Sequence, residues 1–304
     1  MMKTDHKDRL RLHATCKFLQ KTHNALYPDL SVKPNLDFKT KYELQNLLNI
    51  SYDEYIDKLE FIDMIIDGSL PPSIDAIIHM GACSATTEQD MDYLMENNYR
   101  YTRILAEWCL EHKKRFIYAS SAATYGNGEY GFSDNHDVLQ QLKPTNRYGY
   151  SKHLFDLYAL KQGYLNSIVG LKFFNVFGPN EYHKGSMMSM ICKGYNEIKS
   201  TGKIKLFKSH KKEYQDGCQE RDFVYVKDCV DIMWWLLNTE KVNGIFNIGT
   251  GKARSWNDVA KALFKSMEVK ESIDYFDMPE SIRSHYQYHT EAVMSKLKAF
   301  KCPV

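Results

Sequence analysis

No glycine precedes Gly68. A strand–turn–helix that cradles a dinucleotide pyrophosphate needs small residues at its turn, because the backbone itself must approach the phosphates. The start of this chain offers no Gly-x-x-Gly-x-x-Gly. Charge of one sign is also lacking. The 40 Lys and Arg and 38 Asp and Glu leave a net charge of +2, too little to draw nucleic acid. No apolar run is long enough to span a membrane, and the opening Met1-Met2-Lys3-Thr4-Asp5-His6-Lys7-Asp8 has no signal-peptide core. The seven cysteines are scattered, odd in number and without a Cys-x-x-Cys pair, which argues against a disulfide framework. No metal site is expected. These absences together imply a soluble cytoplasmic protein with neither a nucleic-acid nor a membrane partner.

What the chain does contain is a regular alternation. Its 304 residues suffice for a substantial core. Residues 1–44 form an atypical segment rich in Lys, His and Asn, broken by Pro28 and Pro34. Apolar spacing predicts a helix over 52–66, stopped by Gly68 and Pro71-Pro72. Short apolar strands are expected at 74–79, from Phe116 to the Ser120-Ser121 pair, and at 167–174. Helices are expected between them, at 93–112 and 148–162. Continuous apolar strands alternating with helices indicate a parallel sheet covered on both faces. The last third is mixed. It offers a strand at 203–207, a charged loop to 220, a strand and helix from Arg221, a strand at 244–249 and a helix capped by Ser255. The expected fold is α/β, a doubly wound, Rossmann-like parallel sheet whose first strand and glycine turn are missing, with a smaller mixed α/β substrate domain. The expected boundaries are 45–173 and 220–252 for the cofactor domain, and 174–219 and 253–304 for the substrate domain.

One stretch concentrates the chemistry: Tyr148-Gly149-Tyr150-Ser151-Lys152. Positions i and i+4 share a helix face, so Lys152 can lie beneath the Tyr148 ring. A nearby cation favours the phenolate and turns a tyrosine into a base. Upstream, the Phe116 strand ends in Ser121, whose hydroxyl would hydrogen-bond a substrate alcohol. Spacing alone is weak, since Tyr195 and Lys199 repeat it; the apolar strand upstream and the helix around the pair give it weight.

Ser121 with Tyr148 and Lys152 resembles the extended short-chain dehydrogenase/reductases that act on nucleotide sugars. Four stretches resemble the ADP-L-glycero-D-manno-heptose 6-epimerase family among them. These are His79-Met80-Gly81-Ala82-Cys83-Ser84-Ala85-Thr86-Thr87-Glu88, Ala119-Ser120-Ser121-Ala122-Ala123-Thr124-Tyr125-Gly126, Phe174-Asn175-Val176-Phe177-Gly178-Pro179 through His183-Lys184-Gly185-Ser186-Met187, and Arg221-Asp222-Phe223-Val224-Tyr225-Val226. The likeness runs from about residue 45 to about residue 296. It implies transient oxidation at C6 of the heptose by bound NADP, with NAD possible. It implies Tyr148 as base, Ser121 on the reacting oxygen, Lys152 on the nicotinamide ribose and Lys184 as a second acid/base for the opposite epimer. By the same resemblance Lys58, Met80, Gly81, Ala82, Cys83, Ser84, Asn97 and Val176, with Tyr148, Lys152 and Lys184, contact cofactor. Asn175, Ser186, Lys193, Phe207, Lys208, Ser209, His210, Arg221 and Tyr286 contact substrate, and the Arg221 fork suits a diphosphate. The family also implies a homo-oligomer.

The chain departs from the family in its glycine-free start and in ending at Cys302-Pro303-Val304, short of the closing helix. Met80 stands where an acidic residue is common and Lys193 where a histidine is. Two other readings stay open. One is a truncated or frameshifted, non-catalytic relative that binds nucleotide sugar or a partner. The other is a UDP-hexose 4-epimerase. Ala122-Ala123 replaces the Asp-Glu pair of the family's dehydratases, which argues against elimination.

Overall fold

The computed structural model describes residues 53–71, 73–283 and 286–303. The atypical segment 1–44, the glycine-free start as far as residue 52, and Pro72 lie outside the described residues.

Four strands build the central sheet: β1 (Ala76–His79), β2 (Arg115–Ser121), β3 (Val169–Phe173) and β7 (Gly244–Ile248). They run in the order β1-β2-β3-β7 and every neighbouring pair is parallel. All five residues of β7 are buried, as expected for a strand covered on both faces. One face carries helices α2 (Met91–Leu94), α3 (Tyr101–Glu111) and α4 (Arg147–Lys161). There the His79 ring stacks between Tyr101 and Phe116, and Tyr118 meets the edge of Phe155 at 4.7 Å. The opposite face carries α6 (Val226–Leu237), whose Leu236 carbonyl accepts a 2.8 Å bond from Arg115 Nη2. The doubly wound, Rossmann-like architecture read from the alternation is therefore what forms.

Two local boundaries differ from expectation. The first described helix, α1 (Lys58–Ile66), starts later than residue 52 because the Asp57 carboxylate accepts from Leu59 N and caps it there. The helix expected over 93–112 is interrupted. A π-helical turn, Met95–Arg100, joins α2 to α3 and turns Asn97 and Asn98 into the interior. Such turns often mark functional sites, and hydrophobic spacing does not signal them.

A second hydrophobic cluster, Ile198, Ile204, Leu206, Ala260 and Phe264, is built by α5 (Met190–Thr201), β5 (Ile204–Phe207), α7 (Trp256–Ser266) and β9 (Ile273–Phe276), with β5 and β9 parallel. Between the clusters lies a small mixed sheet. Its strand β4 (Asn175–Phe177) is parallel to β6 (Glu220–Tyr225), and β6 is antiparallel to β8 (Ala253–Ser255). Ser255 caps α7 through a full capping box with Asp258. Two short helices, α8 (Glu280–Arg283) and α9 (Ser295–Ala299), complete the described chain. Among the described residues no helix is long and apolar enough to cross a membrane.

Candidate active site

Strand β2 ends at Ser121, whose hydroxyl accepts from Ala123 N at 3.1 Å and caps the 3-10 turn Ala122–Tyr125. Helix α4 begins opposite this turn, with Asn146 accepting from Gly149 N at 2.7 Å. Gly149 makes the close approach possible: a Cβ there would sit 2.8 Å from the Ala123 carbonyl oxygen. The preceding residue, Tyr148, is thereby brought close enough to Ser121 for the two hydroxyls to interact, and both line one cavity.

Tyr148 is buried, and burial pushes its phenol above the ordinary tyrosine value; the interaction with Ser121 pulls it part of the way back. This corrects the expectation of a phenol lowered by Lys152. The desolvation of a buried phenolate outweighs the lowering influence of Ser121. Lys152, one turn further along α4, donates a 2.9 Å hydrogen bond to the Ala119 carbonyl of β2. Its ammonium lies close enough to His79 to add to burial in lowering that imidazole to about 3.

The loop leaving β1 forms the next wall. Cys83 N donates to Asn98 Oδ1 at 2.7 Å, and Asn98 Nδ2 donates to Ser151 Oγ at 2.8 Å. Ser151 Oγ in turn donates to the Tyr148 carbonyl at 2.7 Å. The π turn thus pins the strand-end loop to the helix that carries Tyr148. Met80, Ala82, Cys83 and Ser84 from this loop line a cavity of about 450 Å³ together with Ser121, Tyr148, Lys152, Asn175, Val176 and Lys184. Lys184 belongs to the 3-10 turn Tyr182–Met187, and its side chain is 42% exposed.

The cavity lies at the carboxyl ends of parallel strands, where open α/β sheets bind ligands. The Lys152 ammonium, the Tyr148 and Ser84 hydroxyls and the small Ala82 form a donor set suited to a nicotinamide and its ribose, and the residues present fit the redox end of such a cofactor.

The other predicted residues fall elsewhere. Lys58 and Asn97 pair with each other, Nζ to Oδ1 at 2.7 Å, and with Gly81 they are not on the cavity wall. Ser186 is exposed on the turn and Lys193 is half-buried on α5. Arg221 is buried, with its guanidinium 5.1 Å from the Tyr286 ring and 5.8 Å from Trp256. Burial lowers its pKa. Phe207 meets the edge of Tyr286. Ser209 and His210 converge on the Tyr288 hydroxyl at 3.2 and 2.9 Å, and Lys208 pairs with Asp277. These residues form a second, basic and aromatic group.

Trp256 connects the two groups. It lines the cavity, and its Nε1 donates to the Tyr286 hydroxyl at 2.9 Å. Trp256, Asn98 and Glu181 were not singled out by sequence reasoning. Asn98 adjoins Asn97 and Glu181 lies between two quoted blocks, so position offered a signal for both. Trp256 follows the Ser255 cap, and nothing in its spacing marks it.

The sequence profile of the NAD dependent epimerase/dehydratase family matches residues 65–249. The ADP-L-glycero-D-manno-heptose-6-epimerase of Nitratidesulfovibrio vulgaris is 55% identical over 276 residues, covering 91% of this chain and 85% of that protein. This alignment is longer than the 45–296 stretch carried by the quoted motifs. The enzyme of the same name from Fusobacterium nucleatum subsp. nucleatum is 48% identical over 262 residues, covering 83% of this chain and 79% of that one. The crystal structure of Helicobacter pylori ADP-L-glycero-D-manno-heptose-6-epimerase superposes with a TM-score of 0.64 at 29% identity, covering 80% of this chain and 71% of that one.

Proposed function

The chain belongs to the NAD dependent epimerase/dehydratase family, and we propose that it is a nucleotide-sugar epimerase that inverts C6 of an ADP-glycero-manno-heptose. The observation that carries this reading is that two groups able to transfer protons, Tyr148 and Lys184, line one cavity together with Ser121. Inversion through a ketone needs a proton acceptor and a proton donor for each epimer.

A bound nicotinamide supplies the hydride acceptor and donor. Tyr148 takes the proton of the C6 hydroxyl as the carbon loses its hydride. Ser121 holds the oxygen that becomes the carbonyl. Lys152 would hold the nicotinamide ribose. After the ketone turns over, Lys184 would give a proton to the oxygen, the bound nicotinamide supplying the hydride to the other face. Tyr148 and Lys184 exchange roles in the reverse direction. Arg221, in its aromatic surround, binds the diphosphate, and the Phe207-to-His210 segment and Tyr286 contact the rest of the nucleotide sugar.

The finer reading includes NADP rather than NAD, a homo-oligomer and a cytoplasmic location, all supported by family likeness. The reading keeps a cofactor part, 45–173 and 220–252, and a substrate part, 174–219 and 253–304; the second cluster, Ile198 to Phe264, supports a separate substrate part, while Ala292, Met294, Leu297 and Cys302 pack into the main cluster. Turnover tests the whole. The purified chain with NADP is expected to epimerise ADP-heptose and leave UDP-galactose unchanged. Preference for UDP-galactose would establish a hexose 4-epimerase, and no turnover of either would leave a binding protein.

A further inference from the structure

Glu181 takes no part in these proton transfers, yet it is the one carboxylate among the described residues that line the cavity. Its side chain is 5% exposed, against 42% for Lys184. A buried carboxylate is costly unless its oxygens are satisfied, and here they are. Oε1 accepts from Gly178 N at 3.0 Å and from Ser189 Oγ at 2.8 Å, and Oε2 accepts from Ser189 N at 2.7 Å. The Glu181 carbonyl also accepts from Lys184 N at 2.9 Å. One residue therefore joins the loop after β4, the turn that carries Lys184 and the N-cap of α5.

The three bonds fix the carboxylate plane and leave Oε2 facing the Lys184 ammonium at 3.9 Å. That distance exceeds the roughly 2.8 Å of a charge-assisted hydrogen bond. The charge thus attracts the ammonium without occupying one of its protons. A half-exposed lysine samples many rotamers, and a fixed anion beneath it narrows that choice towards the cavity. We propose that Glu181 is a positioning residue that aims Lys184 at the reacting oxygen and holds the 182–187 turn against the cavity. This rests on the reading of Lys184 as the second acid/base.

The test uses the full chain with NADP and four forms: the parent, Glu181→Gln, Lys184→Ala and the double variant. Glutamine keeps the shape and an acceptor oxygen but removes the charge. Glu181→Gln is expected to lower kcat for epimerisation about tenfold or more, as a misaimed acid does, with KM little changed. The half-reaction that uses Tyr148, read as reduced-nicotinamide absorbance in a single turnover, is expected to be unchanged. In the Lys184→Ala background Glu181→Gln is expected to add no further loss, because the two act as one unit. Independent, multiplicative losses, or an equal fall in the Tyr148 half-reaction, would overturn the proposal.

A second readout needs no turnover. Acylation of Lys184 by an amine-reactive reagent, followed by mass spectrometry, is expected to be several-fold faster in Glu181→Gln than in the parent. Equal rates overturn the positioning role. If the parent does not epimerise, the functional reading fails, and Glu181 is then judged on this labelling alone.

Discussion

Asn98 and Cys83 exchange two hydrogen bonds: Cys83 N donates to Asn98 Oδ1 at 2.7 Å and Asn98 Nδ2 donates back to the Cys83 carbonyl at 3.2 Å. The same Nδ2 donates to Ser151 on the helix of Tyr148. A single buried side chain thereby sets the spacing between the strand-end loop and the helix that carries Tyr148. Asn98→Ala would leave buried partners unpaired, at a cost of about 1–3 kcal/mol. The expected outcome is a lower melting temperature and weaker NADP binding, measured by thermal unfolding and fluorescence titration. Asn98→Asp is expected to fail as well, because a carboxylate has no N–H for Cys83 and Ser151.

Tyr148→Phe removes the proposed base while keeping the ring. Turnover is expected to fall by about 10²–10⁴-fold, the usual contribution of general base catalysis, with substrate affinity by calorimetry largely kept. The phenol itself can be followed by difference absorbance between the parent and this variant. Without cofactor it is expected to titrate above an ordinary tyrosine, because burial raises it. Binding of oxidised cofactor, whose ring is cationic, is expected to lower it.

Lys172 and Asp156 are fully buried beneath the Ser121 end of β2, with Nζ and Oδ2 3.4 Å apart. Asp156 also accepts from the Tyr118 and Ser120 hydroxyls at 2.8 and 2.7 Å. Removing one partner strands a buried charge. Lys172→Met is expected to cost about 3–5 kcal/mol in urea unfolding, and Lys172→Met with Asp156→Leu to recover a large part of it.

His79 gives a signed pH dependence. Its folded value is depressed from 6.5 to about 3, first by burial and then by the Lys152 ammonium. The unfolded chain therefore binds a proton that the folded chain refuses. Stability is complete above about 6.5 and falls with acidification towards about 3, by about 2 kcal/mol at pH 5 if His79 alone is counted. His136 and His153 are depressed by burial too and act in the same direction. His79→Phe, placed between the rings of Tyr101 and Phe116, is expected to flatten the fall in melting temperature between pH 7 and pH 5. An unchanged slope would show that His79 is not the titrating group.

Elements with strong local signals were legible in the sequence. The runs around Ile117, Leu171 and Phe246 read as buried strands, and Ser255 read as the cap of α7. That Ser121, Tyr148 and Lys152 come together on one cavity was legible because a strand end and an i,i+4 pair are local patterns. The π turn was not, since hydrophobic spacing carries no mark of one extra residue per turn. Nor was the role of Gly149, whose missing Cβ matters only because Ala123 lies against it.

The sequence by itself determined the doubly wound sheet, the residues able to carry acid and base chemistry, and the family those residues resemble. These follow from periodicity, local spacing and side-chain type. The tertiary structure alone decided how those groups feel one another. It buried Tyr148 deeply enough that desolvation dominates its proton affinity. It paired Lys58 with Asn97, surrounded Arg221 with aromatic rings, and set Glu181 beneath Lys184. Each of these depends on which distant segments meet and on how much water they exclude, and neither quantity is written in the order of residues along the chain.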